Sequence, residues 1–96
     1  MFARVSTYKG SPGRAVEASR QIEETTDRLR AMTGFAGAYL LIDNTSGKAL
    51  TITLWESAEA MQASAAAANP LRDMVAQALG AAEPPSVEMF EVASRI

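Results

Sequence analysis

The chain has neither cysteine nor histidine. The first absence excludes a disulfide framework, a thiolate nucleophile and a cysteine zinc knuckle, so the fold must stand without covalent or metal staples. The second removes the commonest general base, the imidazole of a serine triad and the usual proximal haem ligand. Aromatic residues are few, at one Trp, two Tyr and three Phe, and no block of basic residues exists. Nine Lys and Arg against eleven Asp and Glu give a net charge of −2, which argues against nucleic acid or an anionic membrane surface as partner. There is no glycine-rich phosphate loop, no run of 18 apolar residues, and no charged stretch leading into an apolar segment. The expected location is therefore the cytoplasm.

What is present is an ordinary globular composition, 48% apolar and 21% charged. A chain of 96 residues reads as a single domain over 1–96, and at this size roughly 60 to 68% of the unfolded surface is buried on folding. Its core must be modest.

Met1 to Tyr8 reads as a first strand, interrupted by the turn formers Lys9-Gly-Ser-Pro-Gly13. Ser11 as N-cap and Pro12 as first helical residue predict a helix over about 12–32. Ala15, Ala18, Ile22, Thr25, Leu29 and Met32 recur at spacings of three and four and form its apolar stripe. Phe35 to Asp43 and Lys48 to Glu56 read as an antiparallel pair joined by the loop Asp43-Asn-Thr-Ser-Gly47. Ser57 should cap a second helix, which Asn69-Pro70 is expected to break by the same cap-then-proline logic. Leu71, Met74, Val75, Ala78 and Leu79 give the following piece an apolar face that Gly80 ends, and Ser86 to Ala93 is a last strand. The order is α+β, a ferredoxin-like β-α-β-β-α-β plan: a four-stranded antiparallel sheet, both helices on one face and the second helix broken.

Strict alternation along the second strand puts Phe35, Tyr39 and Leu41 on one face and Ala36, Ala38, Leu40 and Ile42 on the other. Both faces are then apolar. Helices cover only one side of a single-layer sheet, so the other predicts a homodimer with two sheets packed face to face.

Trp55 is the leading candidate for a site, because it ends a strand just before a helix start, where a small fold can open a pocket. It lies in phase with Thr51 and Thr53, opposite Leu50, Ile52 and Leu54. Its competing reading is a large packing residue whose N–H needs a partner. Tyr39, Tyr8, Phe35 and Met61 could line such a pocket or simply pack, as could Met32, Met74 and Met89. Asn69 reads first as a helix cap, and Arg4 and Arg72 read first as solvated surface cations that could otherwise hold an acidic or enolate ligand. Glu23, Glu24 and Asp27 read as a solvated helix face rather than a metal site. The third strand has none of the stacked aromatics of RNA-binding modules that share this plan, and no C-x-x-C marks a metal-carrying ferredoxin.

Three stretches carry a resemblance: Tyr8-Lys-Gly-Ser-Pro-Gly after the first strand, Gly34-Phe-Ala-Gly-Ala-Tyr39 opening the second, and Thr53-Leu-Trp-Glu-Ser-Ala-Glu-Ala60. Together they make the chain similar to the antibiotic biosynthesis monooxygenase superfamily of dimeric α/β barrels. The resemblance implies a homodimer with a pocket between sheet and helices in each subunit. It also implies cofactor-free oxidation of a phenol- or quinol-type aromatic by O2, with Trp55 as the pocket tryptophan. Haem-degrading members use a histidine and a first-strand asparagine, both missing here. Some cofactor-free members place asparagine and tyrosine where this chain has Thr51 and Met61. Substrate contacts are expected from Tyr39, Thr51, Met61, Asn69, Arg72 and Phe35. The rival expectation is a non-catalytic dimer that binds a small apolar or aromatic molecule, or serves only structure.

Overall fold

The computed structural model describes all 96 residues, Met1–Ile96. The elements are β1 (Phe2–Lys9), α1 (Ala15–Arg30), β2 (Phe35–Ile42), β3 (Lys48–Trp55), α2 (Ala58–Ala63), α3 (Ala65–Leu79) and β4 (Ser86–Glu91). The four strands form one antiparallel sheet in the order β2-β3-β1-β4, with the helices on one face. This is the ferredoxin-like α+β plan expected from the element order.

Between sheet and helices lies a small core of Tyr8, Ala18, Ala49, Val75 and Leu79, flanked by Leu40, Ile42 and Ala76. The stripe expected on α1 is the buried one, through Ala18, Thr25 and Leu29, and α3 buries Ala68, Leu71, Val75 and Leu79. Gly47 is fixed by space as well as by its φ of 84°, since a side chain there would meet the Gly10 carbonyl oxygen at 2.3 Å. Gly80 ends α3 in the left-handed conformation, as expected.

Four expectations are corrected. First, α1 begins at Ala15 rather than Pro12, and Ser11 does not cap it. Ser11 instead donates from its backbone N–H to the Leu79 carbonyl and from its hydroxyl to the Gly80 carbonyl, tying the β1 exit to the end of α3. Asn44 of the β2–β3 hairpin supplies the missing cap by accepting the Ala15 N–H at 3.2 Å. A cap from 29 residues away leaves no local sequence signal.

Second, the helical break falls at Ser64, not at Asn69-Pro70. Ser57 caps α2 as expected, accepting the Ala60 N–H at 3.1 Å. The alanines at 65–68 are the strongest helix formers available and carry α3 straight through Pro70. Asn69 is thus inside a helix and caps nothing. Ser64 instead turns its hydroxyl back onto the Met61 carbonyl at 2.7 Å and receives Arg4 at 3.1 Å. Side-chain bonding of this kind competes with the helical ladder and bends it.

Third, Phe35 does not share a face with Tyr39 and Leu41. A register shift between Phe35 and Gly37 inserts one extra residue, with Gly37 at a φ of 153°. Phe35 therefore pairs with Trp55 and turns to the helix side, while Tyr39 and Leu41 stay on the open side opposite Ile52 and Leu50. Fourth, β4 is shorter than expected, ending at Glu91, and all six of its residues are exposed.

Candidate functional site

Trp55 closes β3 and is completely buried. Strand alternation places it on the helix side with Thr51 and Thr53, and its indole N–H donates to the Thr53 hydroxyl at 3.0 Å. The buried donor is satisfied within its own strand. Phe35 meets its ring edge to face, centroids 5.5 Å apart at 73°, and the Arg4 guanidinium carbon lies over the ring, 5.8 Å from its centre. Trp55 is therefore held by three neighbours, each from a different position in the chain.

Arg4 overturns the surface reading, being only 4% exposed. It sits on β1 facing the helices and donates to the Ser64 hydroxyl and the Met61 carbonyl, gripping the α2–α3 junction. Burial, and then repulsion from Arg72, pulls its pKa below the ordinary guanidinium value. Arg4 stays charged regardless, because a guanidinium is not deprotonated in a protein.

Beside Trp55, β1, β3, α1 and α3 line a half-open pocket of about 40 Å³. Its polar lining comes from Arg4, Ser6 and Tyr8 of β1, Thr51 and Thr53 of β3, Thr25 of α1 and Arg72 of α3, and no acidic side chain reaches it. The Tyr8 phenol is buried and bonds the Thr51 hydroxyl at 3.3 Å. Burial pushes its pKa up, partly offset by the Thr51 hydrogen bond and by the Arg72 charge, so it is a neutral phenol at neutral pH. Arg72 donates one N–H to the Asn69 side chain. Its Nη1 is buried and has no partner.

Next to this pocket is an open cleft of about 530 Å³ between α1 and β2, walled by Ile22, Thr26, Leu29 and Arg30 and by the strand from Phe35 to Leu40. Ile22 and Leu29 line both spaces.

The residues singled out from the sequence thus separate. Trp55, Thr51 and Arg72 converge on the small pocket. Phe35 packs on Trp55 and, with Tyr39, lines the cleft; Tyr39 itself is 53% exposed. Met61 is buried behind the pocket and offers its carbonyl to Arg4, whereas Asn69 is exposed and only holds Arg72. Neither Met61, Met74 nor Leu79 fills the pocket. Ser6, Thr25 and Thr53 are the pocket residues that sequence reasoning missed, and Arg4, weighed as a ligand anchor but read first as a surface cation, is buried. The signal available was the alternation Arg4, Ser6, Tyr8, which register pairing with β3 brings beside Thr53 and Thr51.

The chain also compares with known proteins. Residues 1–70 match the profile of the family described as antibiotic biosynthesis monooxygenase. An uncharacterised protein of Mycobacterium tuberculosis, Rv2557, is 41% identical over 66 residues, which are 69% of this chain and 29% of that one. The chain spans about a third of the length of the curated relatives it matches. Among solved structures, the ActVA-Orf6 monooxygenase of Streptomyces coelicolor, determined with nanaomycin D, superposes with a TM-score of 0.74 at 20% identity, covering 99% of this chain and 89% of its own. SnoaB, a cofactor-independent oxygenase of Streptomyces nogalater, gives 0.73 at 15% identity, covering 99% and 95%. At these identities the superpositions speak for the fold. The profile match extends over well more than half of the sequence, and the chain belongs to the antibiotic biosynthesis monooxygenase family.

Proposed function

We propose that the domain, residues 1–96, is a cofactor-independent monooxygenase that oxidises a phenol- or quinol-type aromatic with O2, working as a homodimer through its open sheet face. The observation that carries this reading is the charge balance beside Trp55: two guanidinium groups and four hydroxyl side chains besides Tyr8 line the pocket, without a carboxylate. Such a field favours an anionic oxygen over a neutral one, and so lowers the cost of ionising a phenol bound beside it. Family membership and the likeness to two oxygenases support the reaction class.

The chemistry balances without an outside reductant. A phenol with a free C–H para to its hydroxyl loses the O–H proton, and the phenolate gives one electron to O2. The resulting radical and superoxide join in a C–O bond at the para carbon. Loss of the C–H proton and cleavage of the O–O bond then leave a quinone carbonyl. One oxygen atom stays in the product, and the other takes the two protons and departs as water. Substrate gives up four electrons and O2 accepts four. The protein positions the ring and stabilises the phenolate and the superoxide. Thr26 and Arg30 are the polar side chains of the cleft itself, the charges of Arg4 and Arg72 and the Thr51 hydroxyl stand in the adjoining pocket, and Phe35, packed on Trp55, forms the wall that meets the ring. Because the small pocket is far below the roughly 150 Å³ that admits a benzene ring, the ring belongs in the α1–β2 cleft, beside Phe35 and within the field of the two guanidinium groups.

The test is oxygen consumption by the purified, metal-free chain on a panel of phenols, quinols and anthrones, with product measured alongside. Uptake with one product per O2 is expected. Trp55→Phe should slow it by about tenfold to a hundredfold through lost positioning. An uptake rate no higher than that of buffer, or one indifferent to Trp55→Phe, rejects the reading. A second reading, a non-catalytic dimer that binds a small aromatic molecule, is favoured by one observation: no His, Asp or Glu lines the Trp55 pocket to move a proton. It predicts binding with no oxygen uptake.

A further inference from the structure

The charge in the Trp55 pocket exceeds what a phenol oxygen can answer. Arg4 is buried with its donors aimed at the Ser64 hydroxyl and the Met61 carbonyl, neither of which carries a charge to balance it. Arg72 faces the same pocket, and its buried Nη1 is the one buried side-chain polar atom of the molecule left without a partner. The only salt bridge in the chain, Arg14 to Glu17, lies elsewhere on the surface. The two cations repel each other, and Asp73, the carboxylate near enough to act on Tyr8, neither lines the pocket nor pairs with either of them; an unmade hydrogen bond from a charged donor adds to the cost. A ligand that brings a negative charge into the pocket offsets the repulsion and gives the Arg72 side chain an acceptor to turn toward.

We propose that the pocket is a carboxylate site and that its ligand is an aromatic acid whose ring lies in the α1–β2 cleft. This deepens the functional reading above and rests on it for the identity of the site. Three features select the class. A volume of about 40 Å³ admits a small head group and no ring. Planar guanidinium groups suit the two oxygens of a carboxylate better than the single oxygen of a phenolate, and two of them line this pocket. The adjoining cleft, about 530 Å³ and walled by Phe35, Ile22 and Leu29, suits the apolar body, and Ile22 and Leu29 border both spaces. Tyr8, neutral and tied to Thr51, leaves a hydroxyl pair beside the head group as further hydrogen-bonding partners.

Trp55 is the only tryptophan, so its fluorescence reports this site directly. The experiment titrates the full chain, without oxygen and at neutral pH, with 2-naphthoate and with the neutral 2-naphthamide, following Trp55 emission and the heat of binding. Naphthoate is expected to bind at least about tenfold more tightly than the amide, the scale of a charge-assisted hydrogen bond. Arg72→Gln should erase that preference while leaving the far-ultraviolet circular dichroism unchanged, and Arg72→Lys should retain part of it. Equal binding of acid and amide by the wild type overturns the proposal, as does an Arg72→Gln protein that keeps the preference. The wild-type pair decides the matter even if a variant fails to fold. The oxygenase reading is tested by oxygen uptake on phenols, so an enzyme that oxidises phenols yet ignores the carboxylate would refute the acid and spare the reaction.

Discussion

At the scale of single residues, the site is built from groups whose surroundings reverse their usual behaviour. Arginine on a short strand is normally a solvated cation, yet Arg4 is buried because the carbonyl of Met61 and the hydroxyl of Ser64 face it across the α2–α3 junction. Trp55 was legible as a strand-end aromatic, since its phase with Thr51 and Thr53 follows from alternation alone. The burial of Arg4 was not, because the kink that receives it is itself a tertiary feature. Tyr8 gives a pH test. Burial raises its pKa above the ordinary value near 10, with the Thr51 hydrogen bond and the Arg72 charge acting the other way. The unfolded chain therefore releases this proton first, so the contribution of Tyr8 to stability is full below about pH 10 and declines as pH rises through the folded pKa. Denaturant midpoints between pH 8 and 11 should fall for the wild type, and the fall should be smaller for Tyr8→Phe. Identical pH profiles would contradict the assignment.

At the scale of elements, the helix stripes and most element ends were read correctly, whereas the start of α1, the break between α2 and α3 and the phase at the start of β2 were not. The stripe of α1, the Ser57 cap and the Gly80 stop are all local signals, and each is where the sequence places it. Pro70 misled because local rules make proline a helix breaker, whereas burial of Ala68, Leu71, Val75 and Leu79 on one face holds α3 together around it. The helix carries a cost for that: Pro70 has no N–H for the Ala66 carbonyl. Pro70→Ala should raise stability by about 1–3 kcal/mol, seen as a higher thermal midpoint with an unchanged circular dichroism spectrum. A lower midpoint would mean that the proline geometry is needed to aim Arg72. The bulge at Ala36 is the other element-scale departure. One extra residue flips Phe35 onto Trp55, and a period of two counted from the strand's far end cannot foresee it.

At the scale of the molecule, 17 of 96 residues are buried, and the helices shield only one side of the sheet. The other side presents Val5, Leu50, Ile52 and Leu54 beside Tyr39, Leu41 and Phe90, the last three each about half exposed at 53%, 48% and 50%. An apolar sheet face of this kind marks an association surface. For the proposed homodimer, Ile52 is the test position, since it sits on a central strand between Val5 and Tyr39. Ile52→Glu should halve the mass measured by light scattering while preserving secondary structure. A wild type that runs as a monomer, or a variant that stays dimeric, would remove the sheet face from consideration.

The sequence alone determined the order of elements, the phase that Trp55 shares with Thr51 and Thr53 and the doubly apolar character of β2, because capping, glycine stops and hydrophobic period act over a few residues; that this phase faces the helices was decided by the tertiary structure. The tertiary structure alone decided that Arg4 is buried, that Asn44 caps a helix it does not adjoin, that Phe35 turns inward and that Arg72 keeps a donor free beside a second cation. Those facts depend on which segments meet across the sheet and at the α2–α3 junction, and contacts between residues as far apart as Arg4 and Ser64 leave no pattern in the chain between them.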